Sequence, residues 1–449
     1  MGTSNQARSG LQTAAAQHLD MAELTSLTRA IIDIPSPMGY ETNVAEYIHH
    51  RFLSAGMRSQ LQEVEDGRCN VVGRIEGEGT GAHLLYVGHM DTTWGGDEEG
   101  IHTLGPGYQP TSWQDGEWIY GMGAYNMKSG LAALVHAAEA IAKSGVRLAG
   151  DLIIAGVVGE TSQTETRRHR GRRYRGTGVG ARFLVTNGVM ADAAVIAEPT
   201  MGRVNIDSGG FLLFEVTTIG NPGSTFARGA GADPKEATDA IEAALRLRTE
   251  ILAWSETYIA AHPYNGDRAL NVTLLGIDGG HPFHPSKVPA FCHSYWDVKL
   301  MPGQRQIDVE VEFKNMVRQA CERLGIRYEI AVLQNTPGAQ VHVDEPIVRA
   351  TADRHQSVTG HEPQFVWEGY HADTTALTRF GIPTICYGPG GRMRDGGSGY
   401  YAKEGEMCFI PDLLTGSEVF VALADDFCNR SRKEARPNVS NNGTSVVHG

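Results

Sequence analysis

Four segments constrain the fold of this chain more than any other feature: HLLYVG (83–88), DLIIAGVV (151–158), AAVIAE (193–198) and PTICYG (383–388) are short and almost wholly apolar. Strands of this kind are buried on both faces. They need a covering layer on either side, which predicts a largely parallel sheet flanked by helices, an α/β fold. Helical patterns lie between them. The clearest, MKSGLAALVHAAEAIAKSG (127–145), is rich in alanine, apolar at helical spacing and closed by Gly145, with Asn126 in front as a candidate N-cap.

From about 207 to 330 the pattern changes. FLLFEVTTI (211–219), a helix over 236–254, LNVTLLGI (270–277), CHSYWDVKLM (292–301) and a helix over 308–325 predict a compact α+β insertion. PTICYG then returns the chain to the first domain. The expected organisation is a discontinuous domain of 1–206 and 331–430, an inserted domain of 207–330, and a tail of 431–449 that has little to bury and is expected to be disordered.

Composition narrows the function classes. Of 449 residues, 41% are hydrophobic, enough for a core that needs no staples, and the six cysteines include no Cys-x-x-Cys pair, so neither a thiolate zinc site nor a redox dithiol is spelled. The 39 basic residues, six of them within Arg167–Arg175, face 52 acidic ones, which argues against nucleic acid as a partner. The first twenty residues lack the apolar core of an export signal, and no window is apolar enough to span a bilayer. The expectation is a cytoplasmic protein with no membrane partner.

Polar residues cluster where the buried strands end, the edge at which open α/β sheets bind ligands. His89 and Asp91 follow the first strand in GHMDTTW, Glu160 ends the second, Glu198 ends the third, and Asn126 sits in YGMGAYNMKSG. One imidazole with oxygen donors from separate strand ends suits zinc, manganese or iron. Singly, each residue has a plainer account: a structural histidine, a turn-capping Asp, an N-cap, a solvated strand end. His89 and Asp91 at i, i+2 on extended chain face the same side, which would let Asp91 accept from the second ring nitrogen. The arginine run TETRRHRGRRYRGTG (164–178) reads as a solvated loop by charge, and by its position after Glu160 as a clamp for a carboxylate substrate. Trp94, Tyr125 and Tyr370 adjoin these motifs, either as packing or as walls for a flat aromatic ligand.

GHMDT, YGMGAYNMKSGLAA, the strand ending in Glu160, AEPT and HADTTALTRFGIPTICYGPGG stand in an order that resembles the motifs of the aminoacylase, desuccinylase and glutamate-carboxypeptidase family of two-metal amidohydrolases, over nearly the whole chain. The resemblance implies a catalytic domain interrupted by a lid domain that dimerises in many members, hence a homodimer or higher homo-oligomer. It implies His89, Asn126 and Glu198 as metal ligands, with Glu160 as general base and Asp91 beside His89. Three positions depart from the family. Asn126 stands for its bridging Asp, Thr161 for its second Glu, and YYAKEGEM (400–407) lacks its C-terminal His, Ala402 taking that place if Glu406 is the matching acid. Ser224 stands where the lid histidine is expected, with His281 and His284 as alternatives. Substrate contacts are expected from Trp94, Arg173, Arg175, Ser224, Tyr370 and His371.

These departures predict one divalent ion per subunit, manganese or zinc, in a hydrolase that cleaves a C–N bond of a small anionic, aromatic substrate. An amide substrate builds a carbonyl oxyanion, for which the lid histidine and second metal exist; an electron-poor aryl amine takes the charge into its ring. Deamination of a substrate such as 5-nitroanthranilate, the chemistry of the related nitroanthranilate aminohydrolases, is therefore favoured over hydrolysis of an N-acyl amino acid or a dipeptide. A non-catalytic ligand-binding relative is the alternative of another class. The retention of His89, Asp91, Glu160 and Glu198 argues against it.

Overall fold

The computed structural model describes residues 9–95, 98, 100–226, 239–264, 270–394 and 404–437. The chain divides into two compact units: Met1–Asp207 with Gln340–Trp367 and Ala372–Gly449, and Ser208–Ala339 with Glu368–His371.

The first unit is built on an eight-stranded mixed sheet in the order Arg58–Glu65, Arg68–Ile75, Leu152–Val157, Leu84–His89, Ala193–Ile196, Thr384–Cys386, Val204–Asn205, Phe365–Val366. The four apolar segments form its centre. They are mutually parallel and buried along their whole length, as a sheet covered on both faces requires. The helix Lys128–Ser144 is buried along most of its length. Its small residues allow this: a Cβ on Gly130 would lie 2.1 Å from the carbonyl oxygen of Ala197, beside Glu198. Gly145 ends the helix in the left-handed conformation, φ 70°.

Two expectations need correction. The N-cap position belongs to Met127, and no side chain caps the helix; the Asn126 amide is engaged elsewhere, as described below. The tail is also ordered further than its composition suggests. Ser431 and Glu434 close a capping box on the short helix Arg432–Ala435, and Arg436 donates to the Gly381 carbonyl at 2.6 Å. Residues 438–449 lie outside the described residues.

The second unit is a four-stranded antiparallel sheet, in the order Val272–Gly279, Phe291–Leu300, Gly210–Ile219, Arg327–Thr336, packed against the helices Ala240–Ala261 and Gln306–Leu324. Phe214 stacks on Phe313 with ring centroids 4.2 Å apart, next to the buried Trp296. The expected boundary at 330 falls inside the strand Arg327–Thr336, which pairs with Gly210–Ile219 and completes this sheet. Among the described residues no helix is long and apolar enough to cross a membrane. None of the six cysteines forms a disulfide.

Candidate metal centre

Register assembles the site. His89 ends its strand opposite Val157, three residues before Glu160; Val87 lies opposite Ile196, so His89 and Glu198, each two residues further on, reach the same sheet edge. His89, Glu160 and Glu198 are all buried, and one ligand atom from each lies within 4.8 Å of the others, the one such group of three or more His, Cys, Asp or Glu among the described residues. The convergence is on the His89 Nε2 atom: Asn126 Oδ1 is 3.0 Å away, Glu160 Oε2 3.7 Å and Glu198 Oε1 3.9 Å.

The other ring nitrogen, Nδ1, is 2.9 Å from the backbone carbonyl oxygen of Asp91 and 3.7 Å from its carboxylate. The imidazole is therefore oriented by the Asp91 main chain rather than by the expected side chain. The Asp91 carboxylate instead accepts from the amides of Glu160 (3.1 Å) and Thr161 (3.0 Å) and from the Thr161 hydroxyl (2.8 Å). Three donors fix the turn on which Glu160 is carried.

This environment tests the fit of a cation. Both ring nitrogens of His89 face oxygen lone pairs, yet a neutral imidazole carries only one N–H. Burial lowers the ring's proton affinity, but Asp91, Glu198 and Asn126 outweigh it and leave the pKa raised. Burial, then the charges of Glu198, Asp373 and Asp91, push the Glu160 carboxyl well above its ordinary range. A divalent ion on the Nε2 side satisfies the lone pair and the clustered carboxylates together, so the donor set fits a metal.

Two buried ionisable groups, Asp373 and Lys128, escaped the sequence reading, and a third, Glu406, entered it only as the candidate match for a family acid. Asp373 is almost fully buried, neither carboxylate oxygen has a hydrogen-bond partner among the described residues, and burial together with Asp91 and Glu198 carries its pKa to about 7. It stands two residues after His371, the spacing of His89 and Asp91, which was a usable signal. Glu406 accepts the amides of Tyr125 (3.2 Å) and Asn126 (3.0 Å) on one oxygen, has no hydrogen-bond partner for the other among the described residues, and is pushed by burial to about 7. Lys128 is buried and donates to the Ile34 carbonyl at 2.8 Å; burial lowers it to about 7 against the pull of Glu406, Asp33 and Asp91.

The expected substrate residues are scattered. Trp94 is partly exposed, and its carbonyl accepts from the Thr92 hydroxyl. Arg175 is paired with Glu65 (2.6 Å) and Glu165 (3.3 Å), which makes it a brace of the loop. Arg173 lines a cavity with Thr92. Tyr370, His371 and Ser224 belong to the second unit. There Tyr370 accepts main-chain and Ser208 hydroxyl bonds on its carbonyl, His371 meets Phe211 edge-on at 5.6 Å, and the Ser224 hydroxyl accepts from the Phe226 amide. Ala402 lies outside the described residues.

A largely parallel sheet that brings imidazole, amide and carboxylate groups to one buried point defines the class, a metallohydrolase-type fold. Residues 85–426 match the profile of Peptidase family M20/M25/M40, and the chain belongs to that family. A probable succinyl-diaminopimelate desuccinylase of Staphylococcus aureus is 27% identical over 201 residues, 44% of this chain and 44% of the relative, so the match spans less than half of the curated relative's length. Among solved structures, the Saccharomyces cerevisiae dipeptidase Dug1p superposes with a TM-score of 0.74 at 12% identity, covering 94% of this chain and 99% of that one. The Bacillus subtilis YXEP protein, described as a dinuclear metal-binding peptidase, gives 0.60 at 14%, covering 90% and 98%. Likeness at this identity concerns the fold.

Proposed function

We propose that the chain is a metal-dependent hydrolase of a C–N bond in a small carboxylate substrate. The observation that carries this is the convergence of Asn126, Glu160 and Glu198, all buried, on the His89 Nε2 atom. His89, Asn126 and Glu198 would hold one divalent ion, manganese or zinc. Such an ion supplies the charge that makes water acidic enough to act as a nucleophile near neutral pH. Glu160, anchored through the Asp91 turn, takes the proton of the attacking water and returns it to the departing nitrogen.

A single ion is favoured because Thr161, in place of a second acid, spends its hydroxyl on Asp91, and Asn126 adds no negative charge between two cations. Hydrolytic deamination of an electron-poor aromatic amine such as 5-nitroanthranilate agrees with that simpler centre. The second reading, hydrolysis of an N-acyl amino acid or dipeptide, is favoured by the names of the desuccinylase and dipeptidase neighbours. Ammonia release from 5-nitroanthranilate, set beside amine release from N-acyl amino acids and dipeptides, separates the two; no turnover of either class by metal-loaded protein rejects the hydrolase reading. The protein is further proposed to work as a homodimer or higher homo-oligomer through the second unit, whose edge strand Val272–Gly279 exposes Leu275 and Ile277. Light scattering on the purified chain tests this, and a monomer at micromolar concentration rejects it.

A further inference from the structure

Glu160 stands between two residues whose carbonyls are both bound by the same returning segment. The Thr177 amide donates to the Thr161 carbonyl at 2.9 Å, and the Gly178 amide donates to the Gly159 carbonyl, also at 2.9 Å. The Gly176 amide adds a bond to the Gln163 carbonyl at 3.1 Å. The arginine run between Gln163 and Gly176 is thus closed at its base across the residues that flank Glu160, and the position of that base sets the position of Glu160.

The run itself is docked, contrary to what its charge alone suggests. Arg68, fully buried at the start of the strand Arg68–Ile75, makes two bonds to the Glu41 carboxylate (2.6 and 3.1 Å) and one to Glu65 (3.2 Å). It also donates to the carbonyls of Arg172 (3.0 Å) and Arg175 (2.8 Å), the second only two residues before Thr177. Asn70 on the same strand accepts the Val158 amide and donates to the Gly180 carbonyl, each at 3.0 Å, and so brackets the turn one step further out. The guanidinium also lies against the turn directly. Gly159 precedes Glu160 with φ 64°, and a Cβ there would lie 2.7 Å from Arg68 Nη2 and 3.0 Å from the Arg175 carbonyl oxygen. Burial disfavours the Arg68 charge, but Glu41, Glu65 and Asp91 together outweigh it. A buried ion pair is a poor source of stability, since apolar residues of similar volume often serve as well. What this pair offers is direction: a fixed fork of donors aimed at two loop carbonyls.

We propose that Arg68 is a positioning residue for Glu160: through the Arg172 and Arg175 carbonyls it holds the loop whose base fixes the Glu160 carboxylate beside His89. Resting on the reading of Glu160 as general base, this role requires no contact between Arg68 and substrate. A displacement of a reacting group by about 1 Å can cost about a hundredfold in rate.

Glu41→Met/Arg68→Met tests it, since removing both partners leaves no buried charge behind. Arg68→Lys, which keeps the charge toward Glu41 without the fork, is the second variant. Hydrogen exchange on the metal-loaded full chain without substrate should show the backbone of 159–163 and 176–179 exchanging at least about tenfold faster in both variants, with the helix Lys128–Ser144 unchanged. With whichever of 5-nitroanthranilate, an N-acyl amino acid or a dipeptide the wild type turns over, kcat should fall at least about tenfold while KM changes little. The same changes made in Glu160→Gln should cost no further kcat, because residues that act as a unit are not additive. An equal loss of kcat in both backgrounds overturns the proposal, as does exchange at the wild-type rate in both variants. Full activity of Glu160→Gln, or no turnover of any of the three substrates, rejects the reaction reading instead, and exchange at the turn then decides the role of Arg68 alone.

Discussion

The hydroxyl of Thr161 donates to the carboxylate of Asp91 across 2.8 Å, and both residues are buried. The sequence resemblance sets Thr161 against the family's second carboxylate, and on that reading this bond gives the substitution a structural role: a neutral donor supports Asp91 where an acid would repel it. Thr161→Val keeps the shape and removes the donor. It should cost about 1–3 kcal/mol, because one Asp91 lone pair loses its partner in the interior. Denaturant unfolding of the two proteins measures this, and equal midpoints with equal slopes contradict it.

Glu160→Gln is isosteric and retains the ligands assigned to the ion. It should bind metal as wild type does and lower kcat by at least about a hundredfold, the low end for removal of a general base. Turnover within a few-fold of wild type removes Glu160 from the reaction.

Protein purified without chelator should contain one zinc or manganese per chain, and His89→Ala should contain none. Two ions sit roughly 3.5–4 Å apart in two-metal hydrolases and need anionic bridging, which Asn126 does not provide. Elemental analysis giving two equivalents per chain returns the protein to a dinuclear scheme.

Asp373 and Glu406 make a stability prediction with a definite sign. Both carboxyls are raised to about 7 in the folded chain, from ordinary values of 3.8 and 4.5. Between those limits the unfolded chain has released protons that the folded chain still holds, so stability falls as pH rises from about 4 to about 7, by up to about 1.4 kcal/mol per pH unit per group. Chelator-treated protein should melt lower at pH 7 than at pH 5 on this account, and Glu406→Gln should flatten the slope. An unchanged slope in Glu406→Gln excludes that group as its source.

Arg68→Met should release the loop that Arg68 holds. Trypsin should then cut within Arg167–Arg175 several times faster, and global stability should fall by about 3–5 kcal/mol, since the Glu41 carboxylate is left buried without its partner. Cleavage at the wild-type rate shows that the loop is held by other means.

Much of this architecture was legible because apolar run length and helical period report burial directly. HLLYVG, DLIIAGVV, AAVIAE and PTICYG became the parallel centre of the sheet, and Gly145 ends its helix as its position suggested. The strand Arg327–Thr336 was missed although Tyr328, Ile330 and Val332 alternate with exposed neighbours over its first half; it follows the helix Gln306–Leu324 after only two residues, and the boundary was drawn through it. At the site, strand-end logic found His89, Glu160 and Glu198, which register brings together. It misjudged hydrogen bonding: which atom of Asp91 faces the imidazole depends on where the Glu160–Thr161 turn comes to rest, a fact of tertiary structure. Asp373 and Glu406 are buried acids on the returning segments; neither ends one of the four apolar strands, so strand-end logic did not reach them.

The discontinuity of the first unit has a consequence for biosynthesis. Asn126, Glu160 and Glu198, which converge on the His89 Nε2 atom, all precede residue 199, but the strand Ala193–Ile196, which leads to Glu198, acquires its neighbour Thr384–Cys386 only after the whole inserted unit has been made. During synthesis the nascent polypeptide therefore carries all four of these side chains on a half-built sheet with an open edge, so the geometry that brings them together is completed only when the returning strand closes it.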